Sequence, residues 1–232
     1  MMKQEEMKNT ELFDLTQTIA ARLFGMYTYP WEAVSHIGKC ITSVGKHLPE
    51  EEYQKLGKNI WIHKTARIAR SVMMTGPAII CAGAEVRHGA FLRGNTIIGE
   101  NAVVGNSCEL KNVILFNGVQ VPHFNYVGDS ILGYKAHMGA GAITSNVKSD
   151  KTLVKIHAAD GDIETGLKKV GAFLGDGVEV GCQTVLNPGT VVGRNTNIYP
   201  LSCVRGCVAA NSIYKKAGEV AEKEVREEEE QQ

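Results

Sequence analysis

The chain has 232 residues, of which 44% are hydrophobic and 6% aromatic, and its 25 basic and 25 acidic side chains cancel. That length can bury a core, while the balanced charge gives no global field to recruit nucleic acid or an anionic membrane. No apolar run approaches the ~18 residues that span a bilayer, and the N-terminus lacks the basic and apolar regions of a secretory signal, so a cytoplasmic protein with a small-molecule partner is expected. Cys40, Cys81, Cys108, Cys182, Cys203 and Cys207 form no Cys-x-x-Cys pair and read as reduced structural thiols.

Residues 1–58 are expected to form an α-helical N-terminal cap. Leu12, Leu15, Ile19 and Leu23 recur at helical spacing, Tyr29-Pro30-Trp31 interrupts them, and residues 33–48 form a second amphipathic run. Pro49 followed by three glutamates reads as the first turn of another short helix. Such a segment is expected to cover the end of the next element, as the terminal units of repeat proteins must.

From Ile62 the period changes. Ile62, Ile68, Met74, Ile80, Val86, Leu92, Ile98, Val104 and Leu110 follow one another every six residues. The series continues through Leu115, Val121, Val127, Leu132, Met138 and Thr144 with two five-residue steps, then resumes at Leu174, Val180, Leu186, Val192, Ile198 and Val204. Neither helix nor ordinary strand has this period. It is the signature of a parallel β-helix, mainly β, in which three short strands make one coil and inward aliphatics stack between about seven coils. Gly99, Gly105, Asn95 and Asn101 fall at its turns, where positive φ is expected.

The β-helix is assigned to 59–208. Within it the period lapses over residues 145–173, a long excursion expected to be a lid or substrate-binding loop. Residues 209–232 read as a C-terminal helix fading into an acidic tail.

Register places the polar residues. Arg87 and His123 share one face two coils apart, Lys111 and Asn146 share the adjacent face, and Tyr126 lies at the corner between them, so the group is expected along one edge. His88, His123 and His137 do not make a zinc site by this reckoning. Two coils separate the first two by about 9 to 10 Å, whereas each ligand must lie ~2 Å from the metal.

Three stretches carry a family resemblance: Glu109-Leu110-Lys111, Pro122 to Asp129 (PHFNYVGD), and Gly139 to Asn146 (GAGAITSN). They resemble the acetyltransferase domain of bifunctional sugar-1-phosphate nucleotidylyltransferase/N-acetyltransferases, the enzymes that make UDP-N-acetylglucosamine. Residues 165–176, Asn187-Pro188-Gly189 and Ile198-Tyr199-Pro200 resemble the longer-looped members. The likeness covers about 60 to 208 and implies a left-handed β-helix, a homotrimer with sites between prisms, acetyl-CoA as co-substrate and an amino-sugar 1-phosphate as acceptor. It implies His123 as general base, Arg87 and Lys111 on the sugar phosphate, Tyr126, His137 and Asn146 on the substrate, Ala140, Cys182 and Tyr199 beside the cofactor, and no metal. Backbone N–H groups of Gly139 to Gly141 are expected to face the oxyanion.

The chain departs from the family at His137, where the pattern has Asn, at Val147 for Tyr, at Cys182 for Ser, and at Tyr199 for a small residue. Residues 1–60 carry no Gly-rich phosphate loop and are too few for a nucleotidylyltransferase domain. The main expectation is an N-acetyltransferase of nucleotide-sugar biosynthesis. The alternative is a non-catalytic scaffold or regulatory subunit that binds a sugar phosphate or nucleotide sugar, related to UDP-N-acetylglucosamine pyrophosphorylases.

Overall fold

In a computed structural model, which describes residues 2–223, the six-residue period becomes a β-solenoid with three faces. The first face runs from Arg67–Ile68 through Glu85–Val86, Val103–Asn106, Gln120–His123, His137–Met138, Glu179–Val180 and Asn197–Ile198 to Ser212–Lys216. Each rung pairs in parallel with the next, so Val86 lies beside Val104 and Val104 beside Val121. Inward aliphatics thus stack on inward aliphatics, which is how each coil buries an apolar side that it cannot bury alone.

The five-residue steps have a visible cause. Glu109–Leu115 and Tyr126–Leu132 are continuous seven-residue strands that bend once, from the second face onto the third. Asn112 (φ 56°) and Asp129 (φ 49°) occupy the bends. Asn and Asp tolerate this left-handed conformation better than most residues. The two shortened corners stack, and the polar cluster described below is built there.

The turn residues split into two kinds. Asn95 and Asn101 adopt positive φ as expected, but Gly99 and Gly105 do not. A Cβ on Gly99 would lie 2.5 Å from the backbone of Phe116, and one on Gly105 would overlap the carbonyl of Pro122. These glycines answer to the close approach of the next coil.

The third face is buried on both sides. Its outward column runs Trp61, Ile79, Ile97, Ile114, Ile131, Phe173, Val191 and Cys207, each in register with the next, and none is more than 6% exposed. The N-terminal segment covers it. Residues expected to cap an end instead form a strap along this side: Met7 meets Cys207 at the last coils, Trp31 packs against Phe173 with ring centroids 5.9 Å apart, and the helix Ile37–Gly45 lies over the early coils. Phe13, Phe24 and Phe116 form a buried triad with centroids 5.1 to 5.7 Å apart. The apolar column explains the change of role, since eight outward apolar side chains on one face demand cover along its length.

Two more expectations are corrected. Pro49 to Glu52 makes a single hydrogen-bonded turn that leads into the strand Tyr53–Leu56. In place of a C-terminal helix, Ser212–Lys216 and Glu219–Glu222 form an antiparallel hairpin. Its first strand completes the last rung, with Tyr214 beside Ile198, because the open edge of a solenoid presents unpaired backbone groups that a strand satisfies and a helix does not. The acidic tail expected beyond residue 223 lies outside the described residues. The excursion after Ser145 holds a second hairpin, Lys155–Ala158 with Gly161–Glu164. The hairpin is anchored by buried Val154 and Ile156 and joined to the strap by the Ala159 N–H, which donates to the Met2 carbonyl at 2.8 Å.

Candidate functional site

Where the first face turns into the second, successive coils stack as dipeptides: Asn106-Ser107, His123-Phe124, Ala140-Gly141, Cys182-Gln183 and Pro200-Leu201. The N–H of Phe124 donates to the Asn106 carbonyl, that of Gly141 to His123, that of Gln183 to Ala140 and that of Leu201 to Cys182, each at 2.9 Å. The second member of every pair has positive φ, from 52° at Phe124 to 70° at Gly141. Bulky residues rarely accept that conformation, yet Phe124 and Leu201 adopt it with 64% and 81% of their surface exposed. The edge is therefore strained and apolar at two points flanking the Ala140 and Cys182 corners.

His123 is exposed on this edge. Asn125, 2% exposed, fixes its backbone: the side-chain oxygen accepts from the His123 N–H at 3.0 Å, and the amide donates to the carbonyls of Gly139 at 2.8 Å and Ala142 at 2.9 Å in the next coil. Sequence reasoning passed over Asn125, although an Asn within a corner motif, able to bond backbone on both sides, was a usable signal.

The second cluster centres on Asp129, which is buried at 2% exposure. Lys111 Nζ donates to both its oxygens at 2.8 and 3.0 Å, Asn112 Nδ2 donates at 2.9 Å, and Asn146 Nδ2 donates to it as well. Asn146 also donates to the Tyr126 hydroxyl at 3.2 Å. The phenol lies across the second face, where a Cβ on Gly128 would meet its hydroxyl at 2.5 Å. Burial, reinforced by the charges of Asp129 and Glu109, raises its pKa above the ordinary value.

Lys111, Tyr126 and Asn146 are thus brought together, but not on the His123 edge. Lys111 and Asn146 stand at the far border of the second face, beside the shortened corners, and only the Tyr126 ring spans the face between. The expectation of one shared edge is corrected: the length of the second-face strand, from Tyr126 to Gly128, separates the borders. Arg87 lies on the first face and pairs with Glu85 at 3.0 Å. The Arg87 hydrogen bond, followed by that from Arg67, holds the Glu85 carboxyl below its usual range. His137 Nδ1 lies 2.7 Å from Glu179. Ala140 and Cys182 stack in the same column as His123, and Tyr199, 46% exposed, precedes the Pro200 corner.

The thiols divide. Cys81, Cys108 and Cys207 are buried, and burial pushes the Cys81 and Cys207 thiols up to about 12, whereas Cys182 and Cys203 are exposed. Of the supposed oxyanion donors, the Gly139 and Gly141 N–H groups are spent on the carbonyls of Val180 and His123. Among the described residues, the Ala140 N–H has no such partner. No group of three His, Cys, Asp or Glu among the described residues is placed to hold a metal ion.

The family profile described as GMPPB C-terminal domain matches residues 74–209. The bifunctional protein GlmU of Methanococcus aeolicus is 31% identical over 178 residues, 68% of this chain and 43% of that protein. A bifunctional sugar-1-phosphate nucleotidylyltransferase/acetyltransferase of Sulfurisphaera tokodaii is 32% identical over 174 residues, 67% of this chain and 43% of that one. YaiX of Escherichia coli is 30% identical over 158 residues, 59% of this chain and 69% of that one. The chain spans 43% of the length of each of the two bifunctional relatives.

Proposed function

The chain belongs to the GMPPB C-terminal domain family, and from that membership and the geometry of the His123 edge we propose a hexapeptide-type acetyltransferase that moves an acetyl group from acetyl-CoA to the amine of an amino-sugar 1-phosphate. The observation that carries this reading is one column: an exposed histidine whose backbone is fixed by a buried asparagine, with Ala140 and Cys182 stacked in the following coils. A linear cofactor lying along the column would bring its thioester to the histidine.

The chemistry needs a base near neutral pKa, because an amino sugar arrives largely as an ammonium. The ammonium gives up one proton to solvent on becoming the nucleophilic amine, and His123 removes a second from the nitrogen as it attacks the thioester carbonyl. The resulting oxyanion takes a hydrogen bond from the Ala140 N–H. Collapse breaks the carbon–sulfur bond, the thiolate leaves, and the proton held by His123 returns to it, so the products are the amide and free CoA. Tyr126 and Asn146 orient the sugar. Lys111 enters as half of a neutral pair with Asp129 and contributes hydrogen-bond geometry more than net charge.

Acetyl-CoA thiol release is measured with glucosamine 1-phosphate and galactosamine 1-phosphate. Turnover with one of them is expected, with a loss of about 10²- to 10⁴-fold in His123→Ala. No turnover with either sugar, or an unimpaired variant, overturns the reading. Because the column lies on an outer edge, completion of the site by a neighbouring copy in a closed trimer is part of the proposal, and light scattering that gives a monomer counts against it. Cys182 and Tyr199, both exposed where the cofactor would lie, favour, as a second reading, a non-catalytic binder of a sugar phosphate or nucleotide sugar, for which binding without thiol release is the mark.

A further inference from the structure

The two cations that the sequence assigns to the phosphate are already paired, Arg87 with Glu85 and Lys111 with Asp129. A different set of cations converges beside Asn146. Ser145 and Val147, on either side of it, both line a cavity of about 520 Å³ between the Lys155–Ala158 hairpin and the last coils, a size that suits a small-molecule site.

The hairpin builds one wall by strand alternation. Val154 and Ile156 point inward and are fully buried, so Lys155 and His157 point the other way, into the cavity. Its seating is tight. A Cβ on Gly189 would lie 2.9 Å from the Lys155 carbonyl, and that glycine has φ 79°; Gly206, with φ 83°, faces His157. The second wall is the corner of the coils, which supplies Asn187 and Arg205. Lys148 and Asp150 close the rim and pair with each other at 3.2 Å.

The balance is cationic. Lys155 and His157 have acidic partners on the opposite hairpin strand, Glu164 at 2.7 Å and Asp162 at 2.8 Å, but these carboxylates do not line the cavity. Lys148 pairs with Asp150 on the rim and Lys155 with Glu164 behind the wall, so Arg205 is the lining cation left without an acidic partner among the described residues. Cations on two walls, one of them a planar guanidinium, suit an anion with oxygens on two centres.

We propose that this cavity binds the diphosphate of a substrate of the acetyl transfer, either that of the cofactor or, in place of the 1-phosphate acceptor read above, that of a nucleotide-linked amino sugar. The proposal rests on the function read above and makes the inserted hairpin a fixed wall of the binding site. A diphosphate held there leaves the attached group beside Asn146, the member of the Asp129 cluster nearest in the chain.

Calorimetric titration of the full chain with inorganic pyrophosphate at low ionic strength tests it. One saturable site per chain is expected, weakened at least tenfold by Arg205→Ala and by Lys155→Ala and unchanged by Lys58→Ala, a cation outside the cavity. Both lining residues are exposed, so wild-type thermal midpoints are expected in these variants. Displacement by CoA assigns the cavity to the donor, and displacement by uridine diphosphate assigns it to the acceptor. No saturable binding, binding indifferent to both substitutions, or displacement by neither compound overturns the proposal. The readout needs no turnover: absent acetyl transfer with displaceable pyrophosphate binding refutes the acetyltransferase reading and leaves the cavity standing, and the reverse refutes the cavity alone.

Discussion

The Lys111 ammonium lies 2.8 and 3.0 Å from the two oxygens of Asp129, a carboxylate 2% exposed and 18 residues on, in the next coil. The side-chain exposure of Lys111 is 26%, so the two partners are not equivalent. Lys111→Ala leaves a buried carboxylate facing only two asparagine amides and is expected to cost roughly 3 kcal/mol, read as a lower urea midpoint. In Lys111→Met/Asp129→Asn no charge is left buried and the positive-φ bend keeps a residue that tolerates it, so part of that loss is expected to return. A Lys111→Ala chain that unfolds at the wild-type midpoint refutes the pairing as a structural tie.

Tyr126 links the same cluster to pH. Burial and neighbouring carboxylates raise its folded pKa, so the folded chain keeps this proton to higher pH than the unfolded chain, whose phenol titrates near ~10. Stability is then full below pH ~10 and falls as pH rises from there toward the folded pKa. Tyr126→Phe is expected to lose about 1 kcal/mol at neutral pH with the Asn146 bond, and to show a shallower alkaline fall than wild type. Some fall remains, because burial also raises Tyr53 and Tyr214. Urea unfolding at neutral and alkaline pH separates the two effects, and parallel curves for both proteins contradict the assignment.

The strap is expected to be indispensable. Phe13 belongs to the triad with Phe24 and Phe116, and Phe13→Ala should cost about 3 to 5 kcal/mol. Removing residues 1–48 uncovers the apolar column from Ile79 to Val191 and should yield a chain that binds an apolar dye or aggregates. The same truncation removes the Val34 carbonyl, which accepts from Asn112 at 3.2 Å beside Asp129, so the polar cluster is expected to loosen with it. A truncated chain that stays soluble and monodisperse, and binds no dye, overturns the role of the strap.

The inward columns were legible because a coil repeats its demand every six residues. The covered face was equally visible and went unread. Ile79-Ile80, Ile97-Ile98, Ile114-Leu115, Ile131-Leu132, Phe173-Leu174 and Val191-Val192 put two adjacent apolar residues on one face, and a strand apolar on both sides is buried on both sides. The pairing of Lys111 was also readable, since Asp129 lies 18 residues on. What register does not supply is where a phenol lies, or which N–H groups the ladder consumes. That is why Tyr126 falls where expected in the chain while its hydroxyl reaches the far border, and why, of the three N–H groups from Gly139 to Gly141, that of Ala140 is the one without a backbone partner among the described residues. The C-terminal hairpin was illegible for another reason: a charged stretch with helical composition pairs as a strand only because the last coil offers an edge.

Glycine identity tests the coil geometry directly. Gly105 has ordinary φ, so an alanine there meets no backbone strain of its own, but its Cβ would overlap the Pro122 carbonyl, in the coil that carries His123. A backbone carbonyl cannot swing aside as a flexible side chain does, and Gly105→Ala is expected to cost about 3 kcal/mol. Gly25 is the matched control. Its Cβ would find only ordinary contacts at 3.7 and 3.8 Å, and its φ is −65°, so Gly25→Ala should be neutral or gain a few tenths of a kcal/mol from the lower entropy of the unfolded chain. If close approach between coils governs, the two variants differ by several degrees in thermal midpoint, and the Gly105 variant also loses whatever activity depends on His123. Equal midpoints mean that the coils can part at this corner at little cost, and that the placement of His123 does not depend on the glycine beneath it.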